Sequence, residues 1–345
     1  MTRRLLAGML AGALLAATCT PALSMAAAVP RLEGQMERLN VGTWGHSAFP
    51  GMTMLRDGSL RLVFREGSDH VSARDGRIIL AESHDQGATW DNAQVIREGG
   101  IDWRDPFISN PDGAERLTWF GATSINAAMG ASTVKVWGHD RRIDGLANAA
   151  ISGPVVKLPD GRLAVAFYGR QAHEPTDLYS TWWAWSSDGG WTWTSNRLAN
   201  LNGAGIPTPE PYLVVDGSTV HVFFRWGTWD GIGMRTSLDG GVTWGPHRKI
   251  LDNASGRPTT IATANGTLVM VYRELPSKSA VMAYSVDNGQ TWQSGGVVLA
   301  APAGSPLGMV YATMVEVQPG VVRVVLGMEQ SDGSSDLWGG TVSVP

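Results

Sequence analysis

The chain has 345 residues, a formal net charge of −4 and no basic run, which argues against nucleic acid as a partner. Its one cysteine, Cys19, falls in the N-terminal segment, so loss of that segment leaves no disulfide, no thiolate nucleophile and no cysteine-ligated zinc. The 15 Trp are many for the length, and Trp in exported proteins often stacks on sugar rings.

The N-terminus reads as a signal peptide over residues 1–28. Arg3 and Arg4 precede an apolar run at 5–17, and Ala22-Leu23-Ser24 and Ala26-Ala27-Ala28 are small-residue cleavage sites. The run is shorter than the ~20 residues that span a bilayer. The context of Cys19 is poor for lipid attachment, so an unanchored periplasmic or secreted domain, residues 29–345, is expected.

From there each unit repeats one grammar: a strand, a turn with Gly, then a strongly apolar strand. Unit 1 has 52–55, the turn Arg56-Asp57-Gly58, 60–64 and 78–82; unit 2 has 107–109, Pro111-Asp112-Gly113, 117–120 and 133–138. Unit 3 has 155–158, Pro159-Asp160-Gly161, 163–168 and 181–185; unit 4 has 212–215, Asp216-Gly217, 220–224 and 233–236. Unit 5 has 260–263, Asn265-Gly266, 268–272 and 280–284; unit 6 has 312–317, Pro319-Gly320, 321–326 and 337–344. Runs rich in Val, Leu, Ile, Phe and Tyr between such turns predict strands and hairpins, and no segment sustains helical periodicity.

A box, S-x-D-x-G-x-T-W, recurs four times: Ser83/Asp85/Gly87/Thr89/Trp90, Ser186/Asp188/Gly190/Thr192/Trp193, Ser237/Asp239/Gly241/Thr243/Trp244 and Ser285/Asp287/Gly289/Thr291/Trp292. The Asp accepts hydrogen bonds from amides just downstream, the Gly takes positive φ, and the Trp anchors the turn. The boxes are expected to build the fold and to do no chemistry. Their spacings are 51 and 48 residues, with a double gap of 103 before Ser186 that leaves room for a unit without a box around 134–140. Six units of this period predict an all-β, six-bladed β-propeller with four boxes.

In a hairpin, the start of the first strand and the end of the second lie together. Those residues should gather at one mouth of the central channel, opposite the boxes. They include His46 and Phe49-Pro50, Trp103-Arg104-Asp105-Pro106, Ser152-Gly153-Pro154, Glu210-Pro211, Arg257-Pro258 and Tyr311, with Arg65-Glu66, Gly169-Arg170, Arg225-Trp226, Arg273-Glu274 and Glu329-Gln330. Arg65, Arg225 and Arg273 share one repeat position. Converging guanidiniums suit a bound anion, best a carboxylate gripped at two points. Trp44, Trp103, Trp226 and Trp229 are placed at the mouth as candidate sugar-stacking rings.

In this pattern the chain resembles the bacterial sialidase superfamily, six-bladed propellers with Asp boxes. Glu210-Pro-Tyr-Leu-Val-Val-Asp-Gly followed by Arg225 is similar to the segment with the catalytic Glu and a carboxylate-binding Arg. Tyr311-Ala-Thr-Met-Val-Glu-Val followed by Glu329 is similar to the segment with the nucleophilic Tyr and the Glu that orients an Arg. The resemblance implies retaining hydrolysis of a terminal sialic acid or related acidic sugar, with Tyr311 as nucleophile and Glu210 as its base. It implies an Asp in a unit 1 loop as acid/base; Asp75 and Asp69 are the candidates, and Asp105 offers an alternative acid.

The pattern is broken twice. Ala48 stands where the family has an Arg before the first strand, and the unit 5 Arg near the box has no match around Ser277-Lys278. Arg65, Arg104, Arg257 and Arg273 are candidate replacements. A monomer acting on a glycan is expected, with no cofactor and no metal. Two alternatives stand: a non-catalytic glycan-binding propeller, and a lyase with Tyr311 or His46 as base.

Overall fold

The computed structural model describes residues 29–345, apart from 43, 71–74, 122–123, 131–136, 144–145 and 152. The expected signal segment, with Cys19, lies outside the described residues.

The described chain is almost entirely strands, with one 3-10 turn at Asn202–Ala204. Each blade is an antiparallel meander in chain order. Blade 1 runs His46–Met54, Leu60–Gly67, Arg77–Ser83 and Asp91–Arg97. Blade 2 runs Trp103–Ser109, Arg116–Gly121, Ser124–Gly130 and Trp137–Ile143. In blade 3 the innermost strand is split into Ala147–Ile151 and Val156–Lys157, before Leu163–Arg170, Ser180–Ser186 and Thr194–Ala199. Blades 4 and 5 begin with Tyr212–Asp216 and Ala254–Ala262 and end with Arg248–Asp252 and Gln293–Leu299. Blade 6 supplies Met309–Gln318, Val321–Glu329 and Ser335–Ser343.

The fourth strand of blade 6 comes from the other end of the chain. Arg31–Arg38 pairs antiparallel with Ser335–Ser343, and Leu32 and Met36 pack onto the apolar layer behind it. The two ends of the described chain therefore close the ring. Blades 6 and 1 also touch through a single parallel pair, His46 with Ser335.

The core lies between blades rather than in one centre. One apolar cluster joins blades 1 and 2 (Val63, Leu80, Ile108, Trp119), another joins 3 and 4 (Ala164, Trp183, Leu213, Phe224), and others join 5 with 6 and 6 with 1. A cavity of about 240 Å³ lined by Met52, Phe107, Val156, Tyr212, Thr260 and Met314 draws on the innermost strands of all six blades, and marks the central channel. The protein is a six-bladed β-propeller.

All four boxes sit between the third and fourth strands of their blades. In each, the buried Ser Oγ donates to the Asp at 2.7–2.8 Å and accepts from the Gly amide at 2.8–2.9 Å; the Asp then accepts from the Thr amide and hydroxyl. These bonds hold the Asp85, Asp239 and Asp287 carboxyls down at about 2, the Thr hydroxyl contributing most. In blade 2 the expected third strand at 133–138 is displaced. The third strand is Ser124–Gly130, Trp137 and Gly138 open the fourth, and 131–136 lie outside the described residues.

Candidate active site

The mouth is built by one backbone device used repeatedly. In blades 1, 2, 5 and 6 the pairing register of the innermost strand slips near its start. There the chain enters the left-handed region at Phe49 (φ 57°), Asp105 (φ 45°), Gly256 (φ 74°) and Tyr311 (φ 57°), and Glu210 (φ 54°) does the same just ahead of Tyr212–Asp216 in blade 4. Such a bulge re-aims one side chain, and a non-Gly residue held there is strained. Four of these residues are Phe, Asp, Glu and Tyr, and three of them are groups able to carry acid–base or nucleophilic chemistry.

The second strands answer in register. Arg65 pairs with Ala48, Arg273 pairs with Ser255, and the Arg225 amide donates to Pro209 O at 3.0 Å. The three arginines therefore do occupy one structural position. Their partners differ. Arg225 Nη1 donates to Glu210 Oε1 at 2.6 Å, and its guanidinium lies 4.9 Å from the Trp229 ring. Arg273 lies 5.2 Å from the same ring and donates to Leu307 O at 3.0 Å. Arg65 is held at 2.7 Å by Asp102, which also takes Arg104 at 3.3 Å.

Tyr311, Glu210 and His70 line two adjoining cavities. One, of about 430 Å³, adds Asp102, Arg104, Asp105, Phe120 and Tyr168; the other, of about 100 Å³, adds Arg225, Arg273 and Trp229. Their size suits one sugar ring with substituents. A larger cavity, about 710 Å³, opens beside the boxes of blades 4 and 5, but no Asp, Glu, His, Tyr or Cys lines it. The groups able to carry acid–base chemistry line the mouth cavities instead.

Electrostatics there follow from burial. Burial, then the charges of Glu210 and Asp105, push the Tyr311 phenol well above its ordinary value. Burial pushes Asp105 up to about 6 against the pull of Arg104 and Arg257, and one of its oxygens is buried without a hydrogen-bond partner. Burial alone would lower Arg225, but Glu210 outweighs it and the group is held up. Glu210 Oε2 is buried with no hydrogen-bond partner among the described residues. Behind the Tyr311 ring, at 4.9 Å, the fully buried Arg257 guanidinium donates to Pro50 O at 2.9 Å and Ala312 O at 2.8 Å. It ties three innermost strands together and places positive charge against the phenol.

The other expected residues are placed as follows. Asp69 and Asp75 are exposed and outside the lining of both cavities; Asp75 accepts from the Ser68 amide at 3.1 Å, and 71–74 between them are not described. Trp226 stacks on Phe224 within blade 4, and Trp103 packs against Trp119 and Arg97, so both serve blade interiors. Glu329 accepts from the Leu307 amide at 2.7 Å and faces His46 Nε2 at 3.5 Å. Ser152 lies outside the described residues. Sequence reasoning passed over Asp102, Tyr168, His70 and Phe120. Asp102 stands beside the Trp103-Arg104-Asp105 stretch, and Tyr168 beside Gly169-Arg170, so position in the repeat was the available signal.

Among His, Cys, Asp and Glu, one described group can hold a metal: His46, His70 and Glu329, with one ligand atom from each inside 4.8 Å of the others.

No protein-family model matches the chain, and no curated protein matches it. Solved structures do. A protein of unknown function from Dyadobacter fermentans DSM 18053 superposes with TM-score 0.80 at 16% identity, covering 92% of this chain and 99% of the other. The leech intramolecular trans-sialidase gives TM-score 0.69 at 13% identity, covering 88% of this chain and 70% of that one. Trypanosoma rangeli sialidase in complex with sialic acid gives 0.65 at 12% identity, with 91% of this chain matching 57% of the enzyme. At these identities the likeness is one of fold: the chain has the propeller scaffold on which sialidases are built.

Proposed function

We propose that the protein is an exported retaining exo-glycosidase that removes a terminal acidic sugar of the sialic acid class. One observation carries the reading. Tyr311, on a strained bulge of blade 6, and Glu210, in the left-handed region just ahead of the innermost strand of blade 4, meet in one pocket, and Glu210 has one oxygen fixed by Arg225 and the other without a partner. A phenol next to a carboxylate with a spare oxygen is a nucleophile next to its base.

The chemistry fits an anionic substrate. A sugar with a carboxylate on its anomeric carbon repels an anionic nucleophile, whereas a neutral phenol is tolerated until attack. The raised Tyr311 phenol is neutral at rest. As it attacks, Glu210 Oε2 takes its proton, and Arg257 behind the ring favours the developing phenolate. Arg225 and Arg273, whose guanidiniums lie 4.9 and 5.2 Å from the Trp229 ring, grip the carboxylate. Asp105, raised to about 6, takes the acid/base role toward the leaving group; it lines the pocket, while Asp69 and Asp75 do not. Arg65 and Arg257 are engaged by protein partners, so they shape the pocket rather than replace the Arg expected at Ala48.

The test is hydrolysis of a fluorogenic N-acetylneuraminic acid glycoside by the purified chain beside Tyr311→Phe. Release of the fluorophore by the wild type and its loss in the variant support the mechanism; equal rates in both refute it. No release by either favours the glycan-binding reading, in which Arg104, Arg225 and Arg273 hold an anionic sugar beside Tyr311 without turnover.

A further inference from the structure

We propose that His46, His70 and Glu329 form a site for one divalent transition-metal ion of the zinc class on the blade 6–blade 1 side of the mouth.

Three donor atoms converge there from separate segments. His46 opens the innermost strand of blade 1, His70 follows its second strand, and Glu329 ends the second strand of blade 6. His46 Nε2 lies 3.4 Å from His70 Nδ1 and 3.5 Å from Glu329 Oε1. A tetrahedral ion with bonds of about 2.0–2.1 Å requires ligand–ligand edges of about 3.3–3.4 Å. The two separations are thus those of a metal's coordination edges, and both are long for a hydrogen bond. Two imidazoles and one carboxylate are also a common ligand set for an ion that keeps an open position.

Proton counting points the same way. His46 Nε2 faces both an imidazole nitrogen and a carboxylate oxygen, and it carries at most one proton. If it donates to Glu329, it has none for His70; if it is the bare nitrogen, its lone pair opposes the carboxylate. A cation in the middle uses all three lone pairs at once. His46 and Glu329 are fully or almost fully buried (0% and 3% exposed), so bulk water does not relieve the conflict.

The open side faces the pocket. His70 lines both cavities with Tyr311, and the Phe49 ring lies 5.2 Å from each of their rings. The ion would offer its free position to a ligand oxygen in the cavity that His70 shares with Arg225 and Tyr311. Of the nearby cations, Arg65 and Arg104 are held by Asp102, while Arg273 faces both His70 and Glu329 and Lys278 faces Glu329; Glu329 itself and Asp69 contribute negative charge. The site does not depend on the glycosidase reading, which decides only which oxygen fills the open position.

The experiment uses the whole chain after chelation and dialysis, titrated with Zn²⁺ by calorimetry, with Co²⁺ as a spectroscopic probe. One equivalent of Zn²⁺ and visible Co²⁺ bands of tetrahedral type are expected. His70→Ala, which alters the least buried ligand, should weaken binding by at least about 100-fold, beyond the effect usual for an outer-sphere partner. Glu329→Gln should do likewise, and His84→Asn on the box face should bind as the wild type does. Less than one equivalent, or undiminished binding by a folded His70→Ala, overturns the proposal. Catalysis is not measured, so failure here is distinct from failure of the glycosidase mechanism.

Discussion

The two ends of the propeller use repetition in opposite ways. At the box end four turns keep the same five residues and the same hydrogen bonds. At the mouth the backbone device recurs, but its side chain changes from Phe49 to Asp105, Glu210, Gly256 and Tyr311. A turn that must only close a blade gains nothing by varying. A pocket needs unlike groups facing one another, so the mouth keeps the left-handed turn of the backbone and varies what it presents. Carboxylates register the contrast: Asp287 at the box is held down at about 2 by Thr291, while Asp105 at the mouth is pushed up to about 6 by burial.

The sharpest way to break this contrast is at Tyr311. Tyr311→Phe removes one oxygen and should cut turnover of an acidic-sugar glycoside by at least about 10³-fold. The melting temperature should hold or rise, because the ring keeps its contacts with Phe49 and Arg257. Circular dichroism melts beside the assay read both effects. A variant that loses its fold along with its activity would make Tyr311 a packing residue and dissolve the distinction between the ends.

Asp105 tests the same contrast through pH. Its folded value of about 6 exceeds the ordinary 3.8, so its contribution to stability is complete below about pH 4 and is lost as pH rises through about 6. Asp105→Asn should therefore remove a destabilisation on the order of 3 kcal/mol above pH 7 and almost none at pH 4. Paired denaturant titrations at the two pH values measure it. The same variant should slow turnover by about 10²–10⁴-fold. A box Asp behaves with the opposite sign: its stabilisation is present above about pH 4 and is lost as pH falls from there through about 2. Arg225→Lys should be milder, loosening a carboxylate inhibitor by about 10-fold, since one contact of the planar fork is lost to Glu210 or to the ligand.

The box end was the more legible in sequence, and the reason is physical. A turn that closes on itself writes its whole hydrogen-bond set into eight consecutive residues, and four copies set the period and the six blades. The closing strand, Arg31–Arg38, escaped because its partner is some 300 residues away and only Leu32 and Met36 mark its inner face. At the mouth, repeat position alone brought Tyr311, Glu210, Arg225, Arg273 and Asp105 together. Repeat position does not say which way a side chain turns. Trp226 and Trp103 share the mouth positions yet pack inside blades, Arg65 spends its charge on Asp102, and Arg257 lies behind Tyr311 instead of beside the ligand. The His46–His70–Glu329 group was invisible because its members are separated by 24 and 259 residues and meet only after the ring closes.

The smallest effect is expected from the box itself. Ser237 is buried, and its Oγ donates to Asp239 at 2.7 Å while accepting the Gly241 amide at 2.8 Å. Ser237→Ala leaves that amide without its partner, which costs about 1–3 kcal/mol. Blade 4 also carries Glu210 and Arg225, but at the other end of its strands, so turnover at temperatures below the melt should change less than about twofold. A denaturant midpoint that drops while turnover holds is the expected pair of results. If turnover fell with stability only slightly changed, the boxes would be coupled to the mouth through the strands, and the division between a repeated end that builds and a varied end that acts would have to be abandoned.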